Sequence, residues 1–520
     1  MTDNRVQLIN EKGTIKGKDP VTGNTVPIEF GDITATEVVS DKGRVVNRIQ
    51  ARSTANAVRQ VAGIPAGISV GVSDSANPGL AGPDALTEAD SNLILTSKSE
   101  AETIASGGSG TREDPYMIRD LELDGYRFQW RDSEASYHVK LENCELHDEG
   151  TAAISVDNGV GTDATLTARN CLLYGQRGGH HITVTGGKVI AYECEFAGAS
   201  DWAISLQDGV NSSDVSFEAY DSIVTESKHL FEYPFITPRG ACRVVASRNK
   251  HTGTGPFFAQ NQNAEVNVAL SRNDISSDGT AISDPYSGVI EYNRITGTRA
   301  INVRLGEELR IEHNHFDDAP QGQRLVRIGS GRGTTDDIII RRNLLEKPTG
   351  TGNGNEAVYA NGVVDILYEE NYCTTTPEDA YEFVRCANQR AKHNVADNCG
   401  KQIVDVFRGY KGAGSDAGFI VEGVYGDGTQ AVKITDVNHG VVRDVHARVD
   451  GNAVVVEQRR ATAGESPNNI VIEGALPLSD VVEGEVFKTK GQVGEDIQVQ
   501  YIDDEIVQRP ADTPRQTQIR

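Results

Sequence analysis

Short runs in which apolar and polar residues alternate recur along most of this chain. The copies include "AAISV" (152–156), "HHITV" (180–184), "WAISL" (202–206), "HLFEY" (229–233), "PFFAQ" (256–260), "TAISD" (280–284) and "RAINV" (299–303). They continue through "RLVRI" (324–328), "EAVYA" (356–360), "EFVRC" (382–386), "QIVDV" (402–406), "QAVKI" (430–434) and "NAVVV" (452–456). Period-two alternation over four or five residues predicts a strand with one buried face. Gly-, Asp- and Thr-rich stretches of varying length separate the runs, as loops do.

A second element is interleaved with the first. "LENCEL", "ARNCLL", "AYECEF", "AYDSIV", "ASRNKH", "LSRNDI", "EYNRI", "EHNHF", "RRNLL", "EENYC" and "KHNVA" share a polar residue between two short apolar runs. Weaker copies follow as "VEGVYG", "VRDVHA" and "VIEGAL". Aligned on the polar residue, the ladder reads Asn143, Asn170, Glu193, Asp221, Asn249, Asn273, Asn293, Asn314, Asn343, Asn371, Asn394, Gly423, Asp444 and Gly474, a mean step of about 25 residues. Asn, Asp and Gly tolerate positive φ, so each position is expected to be a left-handed turn residue after a short strand. Two or three strands per step, each unable to bury its face alone, predict a solenoid of stacked parallel strands. Fourteen coils at the ~4.8 Å strand spacing would make a rod of roughly 65 Å. A leucine-rich horseshoe is disfavoured, because its L-x-x-L-x-L frame is missing and no room is left for helices.

On these features the chain resembles the right-handed parallel β-helix family, the pectate-lyase-like fold. The in-register turn and the "N-C" rungs carry the resemblance, together with the entry "GGSGTREDPYMIRDLELDG" (107–125), similar to the opening before the first coil of many archaeal β-helix proteins. The expected fold is all-β: a right-handed parallel β-helix of about 14 rungs over 107–480. Before it come a small β-rich N-terminal module (1–64), with a short helix near 51–64, and a connector (65–106). After it comes a short C-terminal β extension with a polar tail (481–520). The fold hosts lyases, hydrolases, adhesins and viral spikes, so it does not by itself fix function.

Composition narrows the setting. At 520 residues the chain exceeds one ordinary core, which a repetitive architecture accommodates. The formal charge of −25 disfavours nucleic acid or an anionic membrane as partner. By count there are 16 Lys against 34 Arg, and excess carboxylate with scarce lysine resembles proteins of salt-loving archaea. Seven Cys show no C-x-x-C or zinc spacing, so neither a disulfide framework nor a metal is expected. Cys144, Cys171 and Cys194 follow the turn on three successive rungs and are expected to pack as one interior column. The start carries no export signal and no run is long enough for a membrane span, which predicts folding in a cytoplasm.

The chemistry is harder to read. Asp336-Asp337 is an acidic pair of the kind a β-helix polygalacturonase would use, but "GGHH" (178–181) precedes it and no R-x-K follows. His180, His181, His313 and His315 are candidate bases or ligands, yet they fall on distant rungs and are expected to be structural. The residue after each apolar anchor forms an outward column: Ser155, Thr183, Ser205, Glu232, Ala259, Ser283, Asn302, Arg327, Tyr359, Arg385, Asp405, Lys433 and Val455. Arg327, Tyr359, Arg385, Asp405 and Lys433 give a charged and aromatic ladder, one residue per rung. It reads as a groove for an extended glycan, a contact between subunits, or a solvated face.

A small module, a connector and a long β-helix also resemble viral tail spikes and tail fibres. That resemblance implies a homotrimer on a virion, docked through the N-terminal module on tail or baseplate proteins. It also implies binding to host surface glycan or S-layer of a halophilic archaeon, without cofactor. A polysaccharide lyase or glycoside hydrolase, or a cellular adhesin, are the alternatives. Two carboxylates in one groove would favour the enzyme.

Overall fold

The computed structural model describes the strand segments between residues 7 and 51 and most of residues 86–503; residues 52–85, 504–520 and several loops between coils lie outside the described residues. The protein is all-β, with one sheet that takes in 41 strands, paired in parallel from coil to coil. This is a parallel β-helix-like architecture: the chain winds through three short strands per coil, each hydrogen-bonded to its counterparts one coil before and one coil after. One coil runs through Phe128–Trp130, His138–Glu142 and Glu145–His147, and the next through Ile154–Val156, Thr165–Arg169 and Leu172–Tyr174.

Stacking makes the core continuous. The anchors Ile154, Ile182, Ile204, Ile236, Phe258, Ile282, Ile301, Val326, Val358, Tyr381, Val404, Val432 and Val454 lie in register and are all fully buried. Each such side chain is worth about 1.5–3 kcal/mol on burial, a gain realised only when a neighbouring coil covers it.

The solenoid extends beyond its expected limits at both ends. Leu93–Leu95 pairs in parallel with Phe128–Trp130 and Thr87–Glu88 with Leu121–Glu122, so residues from 86 onward belong to the stack and not to a connector. The short helix Lys98–Ile104, N-capped by Ser97, packs Ala101 into this first coil. Phe487–Lys490 and Ile497–Asp503 continue the parallel ladders past residue 480. The strands before residue 52 differ in kind, forming an antiparallel three-stranded sheet and an antiparallel pair. The helix expected near 51–64 falls outside the described residues, apart from Ala51 in a strand.

The turn ladder needs one correction. Asn143 and Asn170 are left-handed, at φ 55° and 52°, as are Glu193 and Asp221. From the next coil the left-handed residue is the one before the Asn: Arg248, Arg272, Tyr292, His313, Arg342, Glu370 and His393. Strand register shows why. Tyr220 pairs with Ser247, so Asp221 aligns with Arg248, and Asn249 aligns with Ser222. Asn249, Asn273, Asn293, Asn314, Asn343, Asn371 and Asn394 therefore occupy the inward column that begins with Cys144, Cys171 and Cys194. They are selected for their amides rather than for φ. The Oδ1 of Asn293 accepts both the backbone N–H and the Nδ2 of Asn273 at 2.9 Å, while the Nδ2 of Asn293 donates to Leu270 O at 2.9 Å. Repeated coil by coil, this satisfies a buried polar column without water.

All seven Cys are free and buried, and the thiols of Cys144, Cys171 and Cys194 stack as expected. Contact with Cys171 and burial raise the pKa of Cys144; the hydrogen bond with Cys144 lowers that of Cys171, but contact with Cys194 and burial outweigh it and raise the thiol overall, so neither is an activated nucleophile.

Candidate active-site groove

The first strand of each coil presents the outward column, and pairing fixes its membership. Asn302, Arg327, Tyr359, Glu382, Asp405, Lys433 and Val455 are successive partners, one per coil. Glu382 takes the place expected for Arg385. Tyr381, not Val384, is the anchor opposite Val358, and Arg385 is an exposed residue at φ 53°. Likewise Thr237 follows Ser205 in this column, and Glu232 lies outside the described residues.

A parallel column runs two residues before each anchor. The same registers place Arg299, Arg324, Glu356, Asp379, Gln402 and Gln430 on successive coils. Alternation missed this column because the residue between it and the anchor is itself apolar (Ala300, Leu325, Ala357, Ala380, Ile403, Ala431), and the chain bends at Leu325, Ala357 and Ala380. The available signal was the recurrence of a polar residue just before "AI", "LV", "AV", "AY" and "IV".

Between the two columns lies a cleft of about 630 Å³, lined by Arg299, Arg324, Glu356, Asp379, Glu382, Lys401, Asp405, Phe407, Lys433 and Arg459, among others. Asp379, Glu382 and Asp405 converge at its floor, each with a carboxylate oxygen within 4.8 Å of the others. Asp379 accepts the backbone N–H of Gln402 at 2.9 Å. The Oε2 of Glu382 and the Oδ1 of Asp405 have no hydrogen-bond partner among the described residues, and Asp405 is only 7% exposed. Glu356 is held at 2.7 and 3.3 Å by the Arg324 guanidinium, which lies 3.5 Å over the Tyr359 ring. Lys401 pairs with Glu378 at 2.8 Å, and Lys433 and Arg459 both reach Glu457 at 3.2 Å.

Three buried carboxyls this close cannot all ionise. Burial, then the charges of Glu356, Asp405 and Asp379, push the Glu382 pKa far up. Burial and Asp379 raise that of Asp405, opposed by Lys433 and Arg459. Burial also raises that of Asp379, but the Gln402 N–H opposes it first. Asp379, which accepts the Gln402 N–H, is the carboxyl best placed to carry the cluster's negative charge, and Glu382, surrounded by the other carboxyls, is the one best placed to keep a proton. An ionised carboxylate beside a protonated one is the pairing that glycoside hydrolysis requires.

The other candidates are not brought together. His181 is buried against Phe196, with ring centroids 5.9 Å apart, and burial depresses its pKa to about 3. His313 is a left-handed turn residue stacked on Tyr292 at 4.8 Å. His315 is buried and bonded to Glu346 at 2.8 Å, and with Asp317 these form a second cluster of ligand-type side chains, on the third strand of one coil and just after that of the next. Asp336 and Asp337 lie on the second strand and do not line the cleft. Among the described residues no helix is long and apolar enough to cross a membrane.

No protein-family model matches the chain, and comparison with curated proteins gives no match. The functional reading therefore rests on the groove.

Proposed function

We propose that the protein is a glycan-recognition β-helix of the spike or fibre kind, and that its groove cleaves the saccharide it grips. One observation carries the cleavage: three converging carboxyls, two of them with oxygens that no group among the described residues satisfies, at the floor of an open, cation-rimmed cleft. Such a cluster is costly to hold for structure alone. In the reaction Glu382 gives its proton to the bridging oxygen as the bond to the leaving sugar breaks, while the Asp379 carboxylate attacks the anomeric carbon. Water, deprotonated by the Glu382 carboxylate, then displaces Asp379 and restores both groups. Asp405 shares the cluster's charge and keeps Glu382 protonated in the resting state.

Incubation with a panel of neutral, uronate-containing and sulfated polysaccharides at high salt, read by new reducing ends, tests this. Cleavage lost in Asp379→Asn and Glu382→Gln supports it. Binding without cleavage in the wild type reduces the groove to recognition. The virion setting, the homotrimer and the right-handed coil belong to the same proposal and come from the resemblance to β-helix spikes and fibres. A monomeric mass in solution at high salt would count against the spike.

A further inference from the structure

Beyond Tyr359, toward the N-terminal end of the rod, the groove changes character. Arg327 and Asn302 continue the outward column, and Arg299 stands opposite Arg324 in the neighbouring one. Three guanidinium groups thus crowd adjacent coils. Burial, then Arg327 and Arg324, make the Arg299 charge harder to hold. Glu356 answers Arg324. The Arg327 Nε is buried and donates to no group among the described residues. Beside it Asn302 is buried, at 8% exposure, and its Oδ1 accepts from nothing among the described residues. An unused donor, an unused acceptor and mutually repelling cations at this end of the groove are unfavourable by themselves and become favourable when an anion is brought to them.

We propose that Asn302, Arg327 and Arg299 form a subsite for an acidic substituent, a carboxylate or a sulfate ester, on the saccharide in the groove. The proposal rests on reading the groove as a glycan site. The Arg327 fork donates to two oxygens of the anion, Arg299 supplies the second charge, and Asn302 Oδ1 accepts from a neighbouring sugar hydroxyl. Arg327 lies two coils from Glu382, ~10 Å along the rod. The acidic sugar is therefore not the one whose bond breaks, and its charge acts through affinity and register.

The test is equilibrium binding at fixed high salt of fluorescent oligosaccharides of chondroitin sulfate, desulfated chondroitin and dextran. It is run on wild type, Arg327→Ala, Arg327→Lys and Asn302→Ala. Wild type is expected to prefer a charged ligand over dextran by about tenfold or more, with the two charged arms telling sulfate from carboxylate. Arg327→Ala erases the preference, Arg327→Lys recovers part of it, and Asn302→Ala weakens all saccharides without changing the order. Arg327→Ala is expected to melt no lower than wild type, because it relieves repulsion, so lost binding would not reflect unfolding. A wild type that binds no charged ligand preferentially, or an Arg327→Ala that keeps the preference, overturns the subsite. Glu382→Gln is expected to keep Arg327-dependent binding while losing cleavage, and a wild type that binds in the same way yet cleaves nothing would overturn hydrolysis and leave the subsite standing.

Discussion

Cys194 and Ser222 hold the same inward position one coil apart, and the Ser222 hydroxyl accepts the Cys194 backbone N–H at 3.2 Å. Ser222 in turn donates its own N–H to Asn249 Oδ1 at 3.0 Å. This pair is the junction between a column of stacked thiols and a column of stacked amides. On the thiol side the coil is held by apolar packing with weak S–H bonds, as from Cys171 to Leu141 O at 3.7 Å. On the amide side every coil is tied to the next through side-chain hydrogen bonds.

The two halves of the column should therefore respond differently to truncation. Asn293→Ala takes the acceptor from the backbone N–H and one amide N–H of Asn273, and this donor from the carbonyl of Leu270, in a fully buried position. A loss of about 2–4 kcal/mol is expected, because unmade buried hydrogen bonds cost more than made ones contribute. Cys171→Ala removes one buried sulfur and should cost ~1–2 kcal/mol. Equilibrium denaturation of the two variants checks the order, and a costlier Cys171→Ala would contradict it.

The groove is expected to trade stability for chemistry. Glu382 and Asp405 have folded pKa values raised above the ordinary carboxylate range. Folding therefore retains protons that the unfolded chain has released, and stability falls as pH rises from about 4 toward those raised values. Glu382→Gln removes the largest such burden. Its melting temperature should match wild type near pH 4 and exceed it at pH 8, while cleavage falls by roughly 10²-fold or more. A variant less stable than wild type at pH 8 would contradict this and make Glu382 a stabilising residue of the groove.

Much of the architecture was legible in the sequence, and the groove only in part. The anchors of the first strand are apolar in nearly every coil, so alternation finds them, and stacking follows because no coil can bury them alone. The turn was harder. In "RNCLL" the left-handed residue is the Asn, while in "SRNDI" it is the Arg before it, and an alignment on Asn slips by one residue between them. Composition misleads there because the stacked coils force residues such as Tyr292 and Arg342 into a conformation their side chains disfavour alone. Asp405, Arg327, Tyr359 and Lys433 were visible as an outward column. Glu382 was hidden by a choice between two anchors in "DAYEFVRC". Asp379 belongs to a column that exists only once the strand bends.

The stereochemistry of cleavage offers a sharper test of the groove than its rate. The carboxylate oxygens of Asp379, Glu382 and Asp405 approach within 4.8 Å. Inverting enzymes hold their two carboxyls roughly 6.5–9.5 Å apart to admit a water, whereas retaining ones use about 5–5.5 Å. The spacing here predicts direct attack by Asp379 and a first-formed product that keeps the anomeric configuration of the substrate. Proton NMR of the fresh product, before mutarotation, reads this directly. Inversion would move Asp379 from nucleophile to base, and would require the groove to widen around a water when the glycan binds.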